Sequence, residues 1–201
     1  SNRTDTRLRY FIYTIWYGGK PLTSFMPGTT PWLDLSAVAR RMPEVLAQNA
    51  LNGEIAALVL LQGESGPPGR KRYARQLHEF LDRTLPTLKA QAGQDELPIA
   101  ILLQINASNA QDATAAGVAL AQWDVAHARP RDTVLAGPMY QLPLGDAVHQ
   151  SVEGRMMLGD LLALVFEARI EHGETFEPLH PISATRAGDL IVLAFQRPNG
   201  A

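Results

Sequence analysis

The residues best suited to chemistry are Asp146 and His149, in Gly145-Asp-Ala-Val-His149. Three-residue spacing within a turn can bring a carboxylate to a histidine Nδ1. That contact fixes the tautomer and leaves Nε2 free as a general base. The same letters also describe an aspartate that closes a turn beside a surface histidine. A second group is Gln62-Gly63-Glu64-Ser65. A glutamine at a strand end can present its side-chain NH₂ to a developing oxyanion, a kind of donor that contributes roughly 3–4 kcal/mol to a barrier. Gly63 permits close backbone approach, and Glu64 can orient another side chain or bind a sugar hydroxyl. The alternative is an ordinary strand-to-loop transition ahead of Gly66-Pro67-Pro68-Gly69. Gly19, in Gly18-Gly19-Lys20, can offer a backbone N–H to the same oxyanion or simply make a tight turn. Lys20, Thr29 and Thr30 read as substrate contacts or as solvated loop.

Other chemistries find little support. His78 and His127 fall on predicted helices, and His172 and His180 fall beyond the sheet. No His/Asp/Glu cluster has metal-ligand spacing, and no glycine loop cradles phosphate, so neither metal nor cofactor is expected. The chain has no cysteine, which excludes disulfides and a thiolate nucleophile. A net charge of −2 with 19% charged residues gives no basic field for nucleic acid. Arg70-Lys71-Arg72 is short and opens a helix, so it reads as a solvated face. The apolar runs Ile55–Leu61 and Ile99–Leu103 are too short to span a bilayer.

These residues must be positioned by the elements around them. Tyr10–Tyr17 is β-branched and aromatic and stops at Gly18-Gly19, which predicts a buried strand. Leu35–Leu51 has helical spacing, with Pro43 as a break or a new first turn. Glu54–Leu61 is a continuous apolar run that suits a parallel sheet covered on both faces, and Pro98–Ile105 predicts a further strand. Arg70–Ala92 predicts a long amphipathic helix kinked or divided at Pro86, and Ala113–Ala128 a further helix. Thr133–Ala136 predicts a fourth strand, Gly137–Gln150 a loop, and Val152–Ile170 the last helix. Alternation at this spacing predicts a parallel α/β sheet. Ligands bind such sheets at the carboxyl ends of the strands, where Gly18-Gly19, Gln62-Gly63, Gln104-Ile105-Asn106 and the Asp146–His149 loop all follow strands. Beyond residue 170, Ile182–Arg186 and Leu190–Phe195 around Gly188-Asp189 predict a β-hairpin. With 201 residues, 46% of them apolar, the chain has room for one full core.

At these positions the chain resembles the sialate O-acetylesterase-like carbohydrate esterases, a branch of the SGNH (GDSL-like) hydrolases. Gln62-Gly63-Glu64-Ser65, followed by a Tyr-containing helix, is similar to the family's W-x-Q-G-E-[SA]-D block. Tyr17-Gly18-Gly19 and Gly28-Thr29-Thr30-Pro31-Trp32 resemble its G-G-x-S-I and G-[ST]-x-P-Y stretch. Asp146-Ala-Val-His149 with Glu153-Gly154 resembles its D-x-x-H-x-x-x-x-G block. The resemblance covers roughly residues 10–170. It implies a three-layer α/β/α, flavodoxin-like fold and removal of acyl groups, usually acetyl, from sugar hydroxyls. His149 would be the base, Asp146 its orienter, Gln62 and Gly19 oxyanion donors, and Glu64 a supporting acid.

Two departures shape the expectation. The family's nucleophile lies in a Gly-Gln-Ser-Asn or Gly-Asp-Ser block after the first strand, and no such block occurs here. Ser1-Asn2 matches its end, which makes Ser1 a candidate nucleophile, although no strand precedes it. Pro21 stands where the family has serine after the double glycine, and Gly66 where it has aspartate. The expected organisation is therefore an SGNH-like domain over 1–170, lacking its first strand and nucleophile block, with 171–201 as a hairpin extension or the start of another module. One reading is a serine esterase acting on acylated carbohydrate, of which this chain is the C-terminal portion. The other is an inactive SGNH-fold carbohydrate-binding or structural module of a larger extracellular or phage-tail-like assembly, with other modules or subunits as partners. An extracellular, cell-surface or virion-like setting is favoured over the cytoplasm.

Overall fold

A computed structural model describes residues 10–65, 69–106 and 113–197. Strands and helices alternate as α1 (Thr30–Gln48), β1 (Ala57–Leu60), α2 (Arg70–Ala92), β2 (Ile99–Gln104), α3 (Ala113–Ala128), β3 (Thr133–Pro138) and α4 (Val152–Phe166). They are followed by β4 (His180–Ala187) and β5 (Leu190–Gln196). The first three strands form one parallel sheet in the order β1-β2-β3, with Ala57 opposite Ile99 and Ala100 opposite Thr133. β4 and β5 make a separate antiparallel hairpin. The protein is thus mixed α/β, with a parallel sheet and an added hairpin. Among the described residues, no helix is long and apolar enough to cross a membrane.

The continuous apolar run of β2 has a direct cause. As the middle strand it is covered on both faces, and Ala100, Ile101, Leu102 and Leu103 are all buried. α2 lays Tyr73, Leu77, Phe80, Leu81, Leu85 and Leu88 into the same core, and α3 adds Val118, Ala121 and Val125. Each fully buried Leu or Phe contributes about 1.5–3 kcal/mol. α2 and α3 pack on each other, α3 on β2 and β3, and α4 on β3. Gly93, left-handed at φ +66°, closes α2 by donating its N–H to the Lys89 carbonyl.

Four expectations require correction. Tyr10–Tyr17 forms no strand, so among the described residues the parallel sheet has three strands. Strand propensity is satisfied only by a ladder and a covering face, and this segment has neither: Phe11, Ile12, Tyr13 and Trp16 are exposed. Side chains anchor it instead. The Tyr10 hydroxyl donates to Glu171 and its ring meets Phe166 edge-on, while the Tyr17 hydroxyl donates to Asp34. Neither Pro43 nor Pro86 divides its helix. Both face solvent, where water can satisfy the carbonyl that loses its N–H partner. α1 begins at Thr30, ahead of the apolar periodicity, because Pro31 suits a first helical turn. α4 ends at Phe166 and passes into a π-helical turn over Glu167–Glu171.

Several apolar surfaces stay uncovered. β1, expected to be covered on both faces, is instead an edge strand whose Val59 and the following Leu61 are exposed. α4 is rich in apolar residues yet leaves Val152, Met156, Met157 and Leu164 in solvent. Both faces of the hairpin are exposed, including Ile182, Ile191, Val192, Leu193 and Phe195.

Candidate functional site

The parallel register puts the carboxyl ends of β1, β2 and β3 on one edge, and the loops that leave them carry the candidate residues. After β3, a short 3-10 turn at Met139–Gln141 leads into a loop closed on itself by an antiparallel bridge between Leu144 and Gln150. Gly145 N–H donates to His149 O at 2.9 Å, and Ser151 N–H to Pro143 O at 2.9 Å. Ser151 then caps α4, its hydroxyl accepting from Gly154 N–H at 3.0 Å. The helix start presses tightly on this loop. A Cβ on Gly154 would lie 2.2 Å from Pro143 O, so only glycine fits without displacement.

Within the loop Asp146 does two things at once. Its Oδ1 accepts the N–H groups of Val148 at 2.8 Å and His149 at 2.7 Å, closing a turn. Its Oδ2 lies 2.8 Å from His149 Nδ1. A carboxylate only accepts, so Nδ1 carries the proton and Nε2 of the neutral ring is a free base. The two backbone donors and then the imidazole hold the Asp146 carboxyl well below the usual carboxylate range. The side chains are 80% (His149) and 60% (Asp146) exposed. Water therefore screens their attraction, and orientation comes from the turn more than from charge. Because the folded-state value lies below the unfolded one, the turn's contribution is complete above the ordinary aspartate range and fades only as pH falls through the lower value. In a ¹³C NMR titration, Asp146 should remain ionised at pH ~3.9, where a free aspartate is half protonated. A midpoint there would mean that the turn is not held in solution.

At the end of β1, Gln62 is 5% exposed. Its Nε2 donates to Lys20 O at 3.2 Å, and its Oε1 is 2.7 Å from the Tyr73 hydroxyl. The bond to Lys20 brings the Gly18–Lys20 loop to the strand-end edge even though no strand precedes it. Gly19 makes an exposed turn there at φ +66°. Gly63 is buried at φ +145°. Glu64 is half-buried, and its charge helps to raise the Tyr73 hydroxyl above its ordinary range, after the larger effect of burial. Thr29 commits its hydroxyl proton to Met26 O at 2.8 Å, which leaves it only acceptor capacity toward a ligand. Ser1 lies outside the described residues. Among the described residues, no serine hydroxyl hydrogen-bonds to His149 Nε2.

Two buried residues at this edge escape a reading of the sequence. Tyr73 reads there as one more apolar helix position, and nothing announces its hydroxyl. Gln122 carried a faint signal, as a lone amide on the apolar helix α3. Arg70 of the basic triplet is paired rather than free, bidentate to Asp124 at 2.7 Å for both bonds. Elsewhere, His127 and His180 flank Trp123 at ring-centroid distances of 3.8 and 4.8 Å. Among the described residues, no group of three or more His, Asp or Glu could hold a metal.

Fold and site together define a mixed α/β protein whose parallel-sheet edge carries an oriented histidine and a buried glutamine amide. No family model matches the chain, and no curated protein or solved structure matches it.

Proposed function

We propose that this chain is the acid–base-bearing part of a serine esterase that removes acetyl groups from carbohydrate hydroxyls, on a three-layer, flavodoxin-like SGNH fold. One observation carries the reading: His149 Nδ1 is 2.8 Å from Asp146 Oδ2, with Nε2 unengaged among the described residues, in a loop at the same sheet edge as Gln62. In the reaction, a serine hydroxyl gives its proton to His149 Nε2 as its oxygen attacks the acetyl carbonyl. The carbonyl electron pair moves onto oxygen, toward the Gln62 Nε2–H and Gly19 N–H donors. Asp146 stays ionised and stabilises the imidazolium. His149 returns the proton to the departing sugar oxygen, then deprotonates the water that releases acetate. The serine is Ser1 or one supplied from beyond residues 1–201. Glu64 and Thr29 line the approach for the sugar.

The test is acetate release from O-acetylated sialosides and from a fluorogenic acetyl ester, by this chain and by any longer polypeptide that carries it. Release supports the reading; absence of release from both overturns it. The uncovered apolar faces of β4–β5 favour a second reading, a non-catalytic carbohydrate-binding or structural module of a larger extracellular or phage-tail-like assembly. On that reading, acetylated glycan is retained without being cleaved.

A further inference from the structure

We propose that Tyr73 and Gln122 are positioning residues that impose a single polarity on the Gln62 amide and hold its Nε2 donor toward the Gly18–Lys20 loop. The network begins at a group that can only donate. Ile105 N–H bonds to Gln122 Oε1 at 2.9 Å, so the opposite end of that amide must be its NH₂. Gln122 Nε2 donates to Gln62 O at 2.9 Å, which ties the main chain of Gln62 to α3. The Tyr73 hydroxyl donates to Gln62, whose Oε1 is 2.7 Å away; the main-chain O, 2.9 Å away, already accepts from Gln122. Gln62 Nε2 meets Lys20 O at 3.2 Å, a group that can only accept. Both ends of the relay are main-chain atoms of fixed role, so a flipped Gln62 amide would set oxygen against oxygen at Lys20. Tyr73 and Gln122 are each 2% exposed, so water cannot stand in for either. Burial keeps the Tyr73 hydroxyl protonated throughout the working pH range, and the donor is therefore permanent.

The positioning stands on this geometry. Its use in catalysis rests on the esterase reading. The experiment follows solvent exchange of side-chain amide protons by ¹H–¹⁵N NMR in the full chain. Gln104 is the internal control: its Nε2 donates to Ala119 O at 2.9 Å, outside the relay. In Tyr73→Phe, Gln62 side-chain exchange should accelerate about tenfold or more while Gln104 stays within about twofold. Gln122→Met removes the upstream donor, should give the same selective pattern, and serves if Tyr73→Phe does not fold. Equal acceleration at both glutamines would make Tyr73 a core residue only and overturn the inference, as would unchanged exchange at Gln62. In protein that releases acetate, Tyr73→Phe should also lower kcat about tenfold with KM unchanged. Selective loosening of Gln62 with kcat intact leaves the positioning standing and removes Gln62 from the oxyanion role.

Discussion

On the esterase reading proposed above, replacing His149 with alanine is expected to lower kcat for acetyl-ester hydrolysis by about 10⁴-fold or more, with KM and thermal stability nearly unchanged. The large kinetic effect follows from the geometry: Asp146 fixes the proton on Nδ1, and Nε2 is the only base the pair presents. Without it a serine hydroxyl must lose its proton to water, and what remains is stabilisation by the oxyanion donors. The small stability effect follows from exposure, because a side chain 80% in solvent contributes little packing. The main-chain bonds from Val148 and residue 149 to Asp146 Oδ1 survive the substitution, so the turn should keep its shape. Steady-state kinetics beside a melting curve separate the two effects. A variant that hydrolyses acetyl esters at the parental rate would remove the dyad from the mechanism. A variant that melts far lower would show that the imidazole holds the loop rather than serving as a base.

Gly63→Ala should be strongly damaging at the end of β1, costing about 2–5 kcal/mol of stability. An added Cβ would lie 2.7 Å from Ile105 Cγ2, 2.8 Å from Val118 Cγ1 and 3.3 Å from Gln122 Nε2. Ile105 and Val118 are buried and branched, so neither can swing aside as the tip of a long side chain would. The backbone at φ +145° disfavours any residue with a Cβ even where space exists. Relief requires moving β1's end away from α3, which pulls Gln62 O from Gln122 and loosens the amide relay. Calorimetry should show Tm falling by about 5–15 °C for a chain of this size. A change of under about 2 °C would mean that the strand end relaxes freely and that the tight packing around Gly63 does not constrain it.

Much of this architecture was legible from residue order. The apolar runs marked β1, β2 and β3, and the 3.6-residue periodicity of Tyr73, Leu77, Phe80, Leu81 and Leu88 marked α2. Such patterns are local, because burial on one face or both is written directly into the spacing of side chains. The Asp146–His149 contact was legible for the same reason: three residues in one turn cannot lie far apart. Tyr10–Tyr17 marks the boundary. Its composition suits a strand, but a strand exists only where another edge and another face receive it, and those are properties of distant residues.

Residue order by itself thus determined the alternation of strands and helices, the parallel sheet, the hairpin and the aspartate–histidine turn. The alternation, the hairpin and the turn depend on near neighbours along the chain, and the parallel pairing follows from the alternation. Only the tertiary structure decided that Gln62, Tyr73, Gln122 and Lys20 share one buried relay, since they come from β1's end, two helices and a loop. It also decided that Gly63 and Gly154 admit no methyl group, since the atoms each would strike belong to other segments of the chain. Contacts across long sequence separations arise from how whole elements pack against one another, and no local spacing encodes them.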